Sequence, residues 1–110
     1  MNRNLLEMIP KRGEYKWELE SNNILIAMPR LRSSIGKKFI KLAGKSPTYK
    51  LKLDQFCSFF WLECDGMKTV NEIGKALRNQ FGEEAEPLYQ RLPQLLKVME
   101  RNKLIRFESD

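Results

Sequence analysis

Hydrophobic and charged residues alternate along the stretch Tyr15–Glu20, which predicts a half-buried β-strand. Its apolar side would carry Tyr15, Trp17 and Leu19. The apolar run Ile24–Met28 predicts a second, more deeply buried strand, which ends at Pro29 because proline lacks the N–H that a ladder needs. Asn22 and Asn23 lie between the two stretches and tolerate positive φ, so they are the predicted turn of a β-hairpin.

A third alternating stretch, Thr48–Leu53, predicts another strand. Its apolar side would carry Tyr49, Leu51 and Leu53. Lys50 and Lys52 would give its other side a positive charge. Between the hairpin and this strand, apolar residues recur at helical spacing and predict a short amphipathic helix over Ile35–Ala43.

The hydrophobic period changes to that of a helix after Asp54, a natural N-cap. An aromatic-rich helix is predicted from there to Asp65–Gly66, where the glycine would adopt a left-handed conformation. Its predicted core residues are Phe56, Phe59, Phe60 and Trp61. Thr69 and Glu72 have the spacing of a capping box, which opens a second helix that ends at Gly82.

A third helix is predicted to begin near Pro87, a favoured first-turn residue. Its predicted core stripe is Leu88, Leu92, Leu95 and Met99. Pro93 lies inside this helix and should bend it. The stretch Leu104-Ile105-Arg106-Phe107 predicts a final short strand. The predicted fold is therefore α+β: a three-stranded antiparallel sheet, then three helices, then a short C-terminal strand.

The chain of 110 residues has the length of one domain. We divide it into an N-terminal hairpin (1–29), a basic connecting segment (30–47) and a strand with a three-helix core (48–107). The formal net charge is +6, and residues 30–50 contain seven Lys or Arg and no acidic residue. This basic stretch could be a solvated face, a docking surface for an acidic partner, or a site for nucleic acid or anionic lipid.

The residue types that most often perform catalysis or bind metals are scarce. The chain has no histidine, and its two cysteines, Cys57 and Cys64, would lie two helical turns apart, too far for a disulfide. We expect free thiols in a reducing compartment, no catalytic residue, no metal site and no cofactor. No apolar stretch approaches the roughly 20 residues of a membrane span, and no secretory signal is evident, so we expect a cytoplasmic protein.

Three short motifs follow one another in the second half of the chain: Trp61-Leu62-Glu63-Cys64-Asp65-Gly66, Thr69-Val70-Asn71-Glu72-Ile73 and Phe81-Gly82. Together with Leu95-Leu96 and Leu104-Ile105, they resemble the pyrroloquinoline quinone biosynthesis protein D (PqqD) family over Leu51–Ile105. The resemblance implies a winged-helix-like fold, also known as the RiPP recognition element, where RiPP denotes a ribosomally made and later modified peptide. The motif residues with structural roles would be Trp61, Asp65, Gly66, Thr69, Val70, Glu72, Ile73 and Gly82.

Members of this family bind the leader segment of a precursor peptide as an extra strand on the sheet edge, beside the third helix. They present it to a modifying enzyme, often a radical S-adenosylmethionine enzyme. The resemblance thus implies a non-catalytic peptide-binding module, with a precursor peptide and a modifying enzyme as partners. Its peptide-binding residues would be Thr48, Tyr49, Lys50, Leu51, Lys52, Arg91, Gln94, Leu95 and Val98. Lys50 and Lys52 would favour an acidic peptide, and Val98 could line an apolar pocket.

Two other functions stay open on the sequence alone. The helices Thr69–Phe81 and Pro87–Asn102 could form the helix-turn-helix of a DNA-binding transcriptional regulator, which the basic character of the chain fits. Nucleic acid is disfavoured by three glutamates at the start of the helix Pro87–Asn102, because they would repel phosphates: Glu83, Glu84 and Glu86. A homodimer could also form by pairing edge strands, and it could use the same edge as a peptide.

Overall fold

The computed structural model describes residues 4–29 and 48–108. Its α+β architecture confirms the predicted fold class, with a three-stranded antiparallel sheet, three α-helices and a short C-terminal strand in chain order. The chain divides into two compact units: a sheet unit of residues 15–54 and a helical unit of residues 1–14 and 55–110. The predicted helix Ile35–Ala43 lies outside the described residues, and the single-domain organisation stays a prediction.

The elements are numbered along the chain. The strands are β1 (Pro10–Arg12), β2 (Trp17–Glu20), β3 (Asn23–Pro29), β4 (Thr48–Lys52) and β5 (Ile105–Phe107). The α-helices are α1 (Gln55–Glu63), α2 (Val70–Phe81) and α3 (Leu88–Arg101). Short 3₁₀ helices occupy Leu5–Glu7 and Gly82–Ala85.

The central strand of the sheet unit is β3, which pairs with β2 on one side and β4 on the other. Ser21 and Asn22 connect β2 to β3, and their φ values of 50° and 68° suit a two-residue hairpin turn. The predicted turn at Asn22–Asn23 is therefore wrong by one residue, since Asn23 already pairs with Glu20 in the ladder. The polar run Ser21–Asn23 is compatible with a turn at Ser21–Asn22 or at Asn22–Asn23, and the ladder register decides between these two positions.

The register assigns side chains to the two faces of this sheet, because opposite residues of an antiparallel pair share a face. Ile26 lies opposite both Trp17 and Leu51. The apolar face therefore carries Trp17, Leu19, Ile24, Ile26, Met28, Tyr49 and Leu51. Its β3 residues are buried, whereas all four residues of β2 are exposed, which corrects the predicted half-buried strand Tyr15–Glu20. The side chains of β2 stand at the margin of the sheet, where β3 flanks them on one side only.

All three helices contribute to the core of the helical unit. Its largest buried side chains are Phe60, Trp61, Val70, Ile73, Leu77, Leu88, Leu92, Leu96 and Met99. The predicted stripe of α3 is wrong at one position, because Leu96 is buried and Leu95 is only half-buried. Adjacent leucines fit the helical period almost equally well, so the pattern alone could not choose between them. Phe56 and Phe59, predicted as core, are half-buried.

Both ends of α2 follow the sequence prediction. The Thr69 hydroxyl accepts a hydrogen bond from the Glu72 N–H at 3.2 Å, and the Glu72 carboxylate accepts one from the Thr69 N–H at 2.9 Å. The helix ends at Gly82, whose φ is 60°. Gly74 has a role that the pattern did not predict: a Cβ there would lie 3.0 Å from Leu92 Cδ1. Its lack of a side chain lets α2 and α3 approach closely.

Strand β1 was not predicted, because a three-residue strand with one proline and two cations shows no alternation. This strand pairs antiparallel with β5, and Pro10 O accepts a hydrogen bond from the Gly66 N–H at 3.0 Å. Lys11 forms an isolated bridge with Asp65. These contacts explain why α1 ends at Glu63 rather than at Asp65–Gly66 as predicted. Gly66 has the predicted left-handed φ of 81°, but within the loop.

Arg12 ties β1 to the end of α1. Its guanidinium donates a hydrogen bond to Leu62 O at 2.6 Å and a longer one to Cys64 O at 3.5 Å. The same group lies 5.8 Å from the ring centroid of Trp61. A cation at the C-terminal end of a helix satisfies carbonyl groups that have no partner within the helix. Arg12 is thus a helix cap supplied by a distant part of the chain.

We predict that Arg12→Ala lowers the free energy of unfolding by about 1–3 kcal/mol, because the part-buried Leu62 carbonyl loses a charged donor. Lys11→Ala is the matched control, since the Lys11–Glu108 ion pair is exposed and 3.8 Å long. Such a pair contributes at most about 1 kcal/mol. Urea unfolding of the two variants checks this. Equal stabilities of the two variants would contradict the assigned role of Arg12.

Candidate functional site

β4 forms one edge of the sheet unit: among residues 4–29 and 48–108, it pairs with β3 alone. The Leu53 N–H donates to Ile24 O at 2.8 Å, and this bond determines which residues of β4 direct their backbone groups toward β3. In an antiparallel pair, every second residue directs its N–H and C=O to the neighbouring strand. Leu51 therefore points its backbone groups toward β3, and Lys50 and Lys52 point theirs away from it. An extended chain could pair with this outer row.

The two lysines of β4 differ in their surroundings. Lys50 Nζ lies 2.7 Å from Glu18 Oε1, in an exposed ion pair that reaches across β3. This hydrogen bond raises the pKa of Lys50 above its ordinary value. Lys52 has no ion pair within the part of the chain that the structure describes. Lys52 is therefore the better placed of the two to meet an external carboxylate.

The other half of the predicted site lies on α3 in the helical unit. Arg91, Gln94, Leu95 and Val98 share one face of this helix, since they are spaced three or four residues apart. Gln94 is exposed, Leu95 is half-buried, and Val98 is 53% exposed. Val98 is thus off the core stripe, as predicted. That this face and β4 form one groove stays a prediction.

Arg91 is committed to contacts within the helical unit, which the sequence did not indicate. Its guanidinium carbon lies 3.9 Å from the ring centroid of Phe56. A guanidinium nitrogen also donates to Glu84 O, at the end of the 3₁₀ helix that precedes α3. Phe56 and Phe59 in turn contact the ring of Phe81, at centroid distances of 5.3 and 5.7 Å. Arg91 therefore covers an aromatic cluster that joins α1 to the end of α2.

A second arginine organises the start of α3. Arg78 forms a two-point ion pair with Glu86, at 2.7 and 3.1 Å, and its guanidinium lies 5.3 Å from the Tyr89 ring centroid. The hydrogen bonds from Arg78 and from the Leu88 N–H lower the pKa of the Glu86 carboxyl. Glu83 and Glu84 remain exposed. The N-terminal end of α3 therefore keeps an acidic surface.

The residues of the sequence motifs have structural roles. Trp61 is fully buried, and its Nε1–H donates to Leu104 O at 2.9 Å. Asp65 accepts a hydrogen bond from the Met67 N–H at 2.9 Å, and that bond is the main cause of its lowered pKa. A Cβ at Gly66 would lie 3.1 Å from Lys11 Cδ, and the φ of 81° disfavours any residue with a side chain, so a larger residue would be strained and would shift the Lys11 side chain. Val70 and Ile73 are fully buried beyond the Thr69–Glu72 cap. The motif therefore specifies a fold rather than a reaction.

The two cysteines are free thiols, as predicted. Burial raises the pKa of Cys64 to about 12, and its Sγ lies 3.2 Å from Phe60 O. A thiol with such a pKa is almost wholly protonated at neutral pH and is a poor nucleophile. Across residues 4–29 and 48–108, no group of three His, Cys, Asp or Glu is arranged to hold a metal ion.

The geometry defines a small α+β protein with two exposed lysines, Lys50 and Lys52, on a strand that pairs with β3 alone among the described residues, and with a helix face of mixed polarity. The family model for Coenzyme PQQ synthesis protein D (PqqD) matches residues 42–105. This match spans more than half of the chain, which therefore belongs to the PqqD family. Proteins of this family are non-catalytic accessory proteins, and membership implies a role in PQQ or RiPP biosynthesis. Neither the curated proteins nor the solved structures contained a match to this chain.

The helices of the described residues do not combine the length and apolar character that a bilayer crossing requires. The longest, α3, has 14 residues and is amphipathic. A transmembrane helix needs about 20 predominantly apolar residues.

We predict that Arg91→Ala lowers the free energy of unfolding by about 1–2 kcal/mol, because the Phe56 ring and Glu84 O lose their cation. Gln94→Ala, one turn further along the same face, is exposed and should change stability by less than about 0.5 kcal/mol. Thermal or urea unfolding measures both. If Arg91→Ala is as stable as Gln94→Ala, the guanidinium has no structural role and is available for a ligand.

Proposed function

We propose that this chain is a peptide-binding module that recognises the leader of a precursor peptide and presents it to a modifying enzyme. Family membership supports the biosynthetic setting. The observation that carries the peptide proposal is the direction of the backbone in β4. Lys50 and Lys52 aim their N–H and C=O groups away from β3, and their side chains are exposed. An extended peptide can add to such an edge as a further strand.

The backbone would supply most of the affinity in this mode of binding. Lys50 and Lys52 together offer two donors and two acceptors, which pair with any extended segment irrespective of its side chains. Proline in the leader would be excluded at the paired positions because it lacks the N–H. The register of the leader would then be determined by contacts of its side chains.

Charge and apolar contact supply the specificity. Lys52 faces solvent beside the edge, and Lys50 is shared with Glu18, so an acidic residue of the leader would bind nearest Lys52. On α3, Leu95 and Val98 offer apolar surface, and Gln94 offers a donor and an acceptor. An amphipathic leader with acidic and aliphatic residues matches this combination. The modifying enzyme, often a radical S-adenosylmethionine enzyme in this family, would supply the chemistry and any cofactor.

The rival proposal, a DNA-binding regulator, is supported by the basic character of the chain but not by the start of α3. The end of α3 that would enter the major groove follows the exposed Glu83 and Glu84. Glu86 is neutralised by Arg78, which is itself occupied by that pair. The described surface around the start of α3 is therefore not a phosphate site.

We predict that Lys52→Pro weakens leader binding about tenfold or more while leaving the sheet intact. The Lys52 N–H points away from β3, so proline there removes a donor from the edge and none from the β3–β4 ladder. Lys52→Ala is the matched control: it keeps the N–H and removes the charge. It should weaken binding only a few-fold, with the difference vanishing at high salt.

Amide NMR titration and calorimetry would measure binding of a synthetic extended peptide with acidic and aliphatic residues. Shifts at 48–53 and 94–98 are expected. Unchanged affinity of a folded Lys52→Pro variant would exclude strand addition at β4. The DNA-binding regulator would instead be established if a promoter duplex caused salt-sensitive shifts along α3 and the leader peptide caused no shifts.

A further inference from the structure

The face of the sheet opposite the apolar one combines charged and apolar side chains. The Ala27 N–H donates to Lys16 O at 2.8 Å, and Ala27 pairs with Lys50 on its other side, so these three residues form one row across the sheet. The next row on the same face consists of Glu18, Leu25 and Lys52. Charged side chains of the two outer strands therefore flank two apolar side chains of β3.

A pocket of about 230 Å³ lies on this face, within the sheet unit. Leu25 is only 8% exposed and Ala27 is half-buried, so these two residues form an apolar floor. The pocket is smaller than the roughly 300–1,000 Å³ of sites for drug-sized ligands, and it suits a molecule of about ten non-hydrogen atoms. The residues that line it are Lys16, Trp17, Glu18, Leu25, Ala27 and Lys50.

An ion pair forms the rim of the pocket. Lys50 and Glu18 belong to strands on opposite sides of β3, and their side chains meet at 2.7 Å, so the pair crosses above that strand. An ammonium group has three donors, and the hydrogen bond to Glu18 Oε1 uses one of them. Lys50 can therefore donate to a second acceptor without releasing Glu18.

Lys16 supplies a second cation to the same pocket. It is exposed and forms no ion pair within residues 4–29 and 48–108. The Cα atoms of Lys16 and Lys50 are two strand spacings apart, about 9–10 Å, so both side chains can reach a group above Ala27. Two ammonium groups and one carboxylate leave a net charge of +1 beside the apolar floor.

We propose that this pocket binds a small molecule or terminal residue that carries one carboxylate on an apolar body. The carboxylate would accept hydrogen bonds from Lys16 Nζ and from a remaining donor of Lys50, and the apolar body would cover Leu25 and Ala27. A dianion would exceed the charge of the pocket, and a neutral molecule would leave Lys16 without a partner. The site does not use the backbone edge of β4 and does not rest on the proposed peptide function.

Amide NMR titration of the full chain with phenylacetate tests the proposal. We expect saturable shifts at residues 16–18, 25–27 and 50, with a Kd of about 1–10 mM for a ligand of this size. Phenylacetamide has the same shape without the charge and should bind about threefold or more weakly. Acetate lacks the apolar body and should give no saturable shifts at these residues.

The carboxylate can come from a free acid or from the C-terminal residue of a peptide, and a second titration separates these two sources. N-acetylglycylphenylalanine presents the same ring and carboxylate at the end of a peptide. Tighter binding than that of phenylacetate would assign the pocket to a peptide terminus. Weaker binding would assign it to a free acid.

Two variants test the charge and the floor separately. Ala27→Leu fills the floor at unchanged charge and should weaken phenylacetate binding about tenfold or more. Lys16→Gln should weaken it about threefold, and added salt should reduce that difference. Lys75→Gln, an equal charge change at an exposed position on α2, should have no effect.

The amide spectrum of each variant reports whether it is folded. Phenylacetate that causes no saturable shifts at these residues up to about 20 mM overturns the proposal. So does phenylacetamide that binds as tightly as phenylacetate, or an unchanged affinity in either folded pocket variant.

Discussion

The backbone hydrogen bonds that β3 forms on both of its sides determine the register of the two flanking strands, β2 and β4. A central strand satisfies its N–H and C=O groups on two sides, and each flanking strand then has one side left. The Leu53 N–H to Ile24 O and Ala27 N–H to Lys16 O bonds fix the phase of the two ladders. From that phase follows which residues of β2 and β4 direct their backbones outward. The direction of these backbone groups is therefore determined by the register of the ladders, whatever the side chains are.

The helical unit depends on a different constraint, the tying of distant segments around Trp61. Its indole donates to Leu104 O, and Arg12 stacks near the ring while capping the carbonyl of Leu62. Gly66 accommodates Lys11 of the strand that lies against this loop. The family motif consists largely of these residues and of the α2 cap. It therefore identifies the fold reliably, and it carries little information about the bound peptide.

Short-range sequence patterns predicted much of the fold. The Thr69–Glu72 cap, the stop at Gly82 and the three strands of the sheet rest on short-range rules, and the structure confirms them. The errors share a cause, since each depends on a distant partner. β1 is a strand only because β5 lies beside it, and α1 ends early because the following loop bonds to β1. The choice of Leu96 over Leu95 likewise depends on packing against other helices.

The candidate site also depends on contacts between distant residues, which the sequence alone does not reveal. Arg91 and Lys50 have the residue types that a ligand-binding prediction favours, yet one covers Phe56 and the other pairs with Glu18. A charge that already has a partner gains less from a second one, because the partner must be shared or displaced. Lys52 has no ion pair among the described residues. Binding at this edge should therefore tolerate many leader sequences, with charge affecting the rate of encounter more than the final affinity. If the proposed function holds, the modifying enzyme would contribute to the selectivity as well as the side chains of this chain.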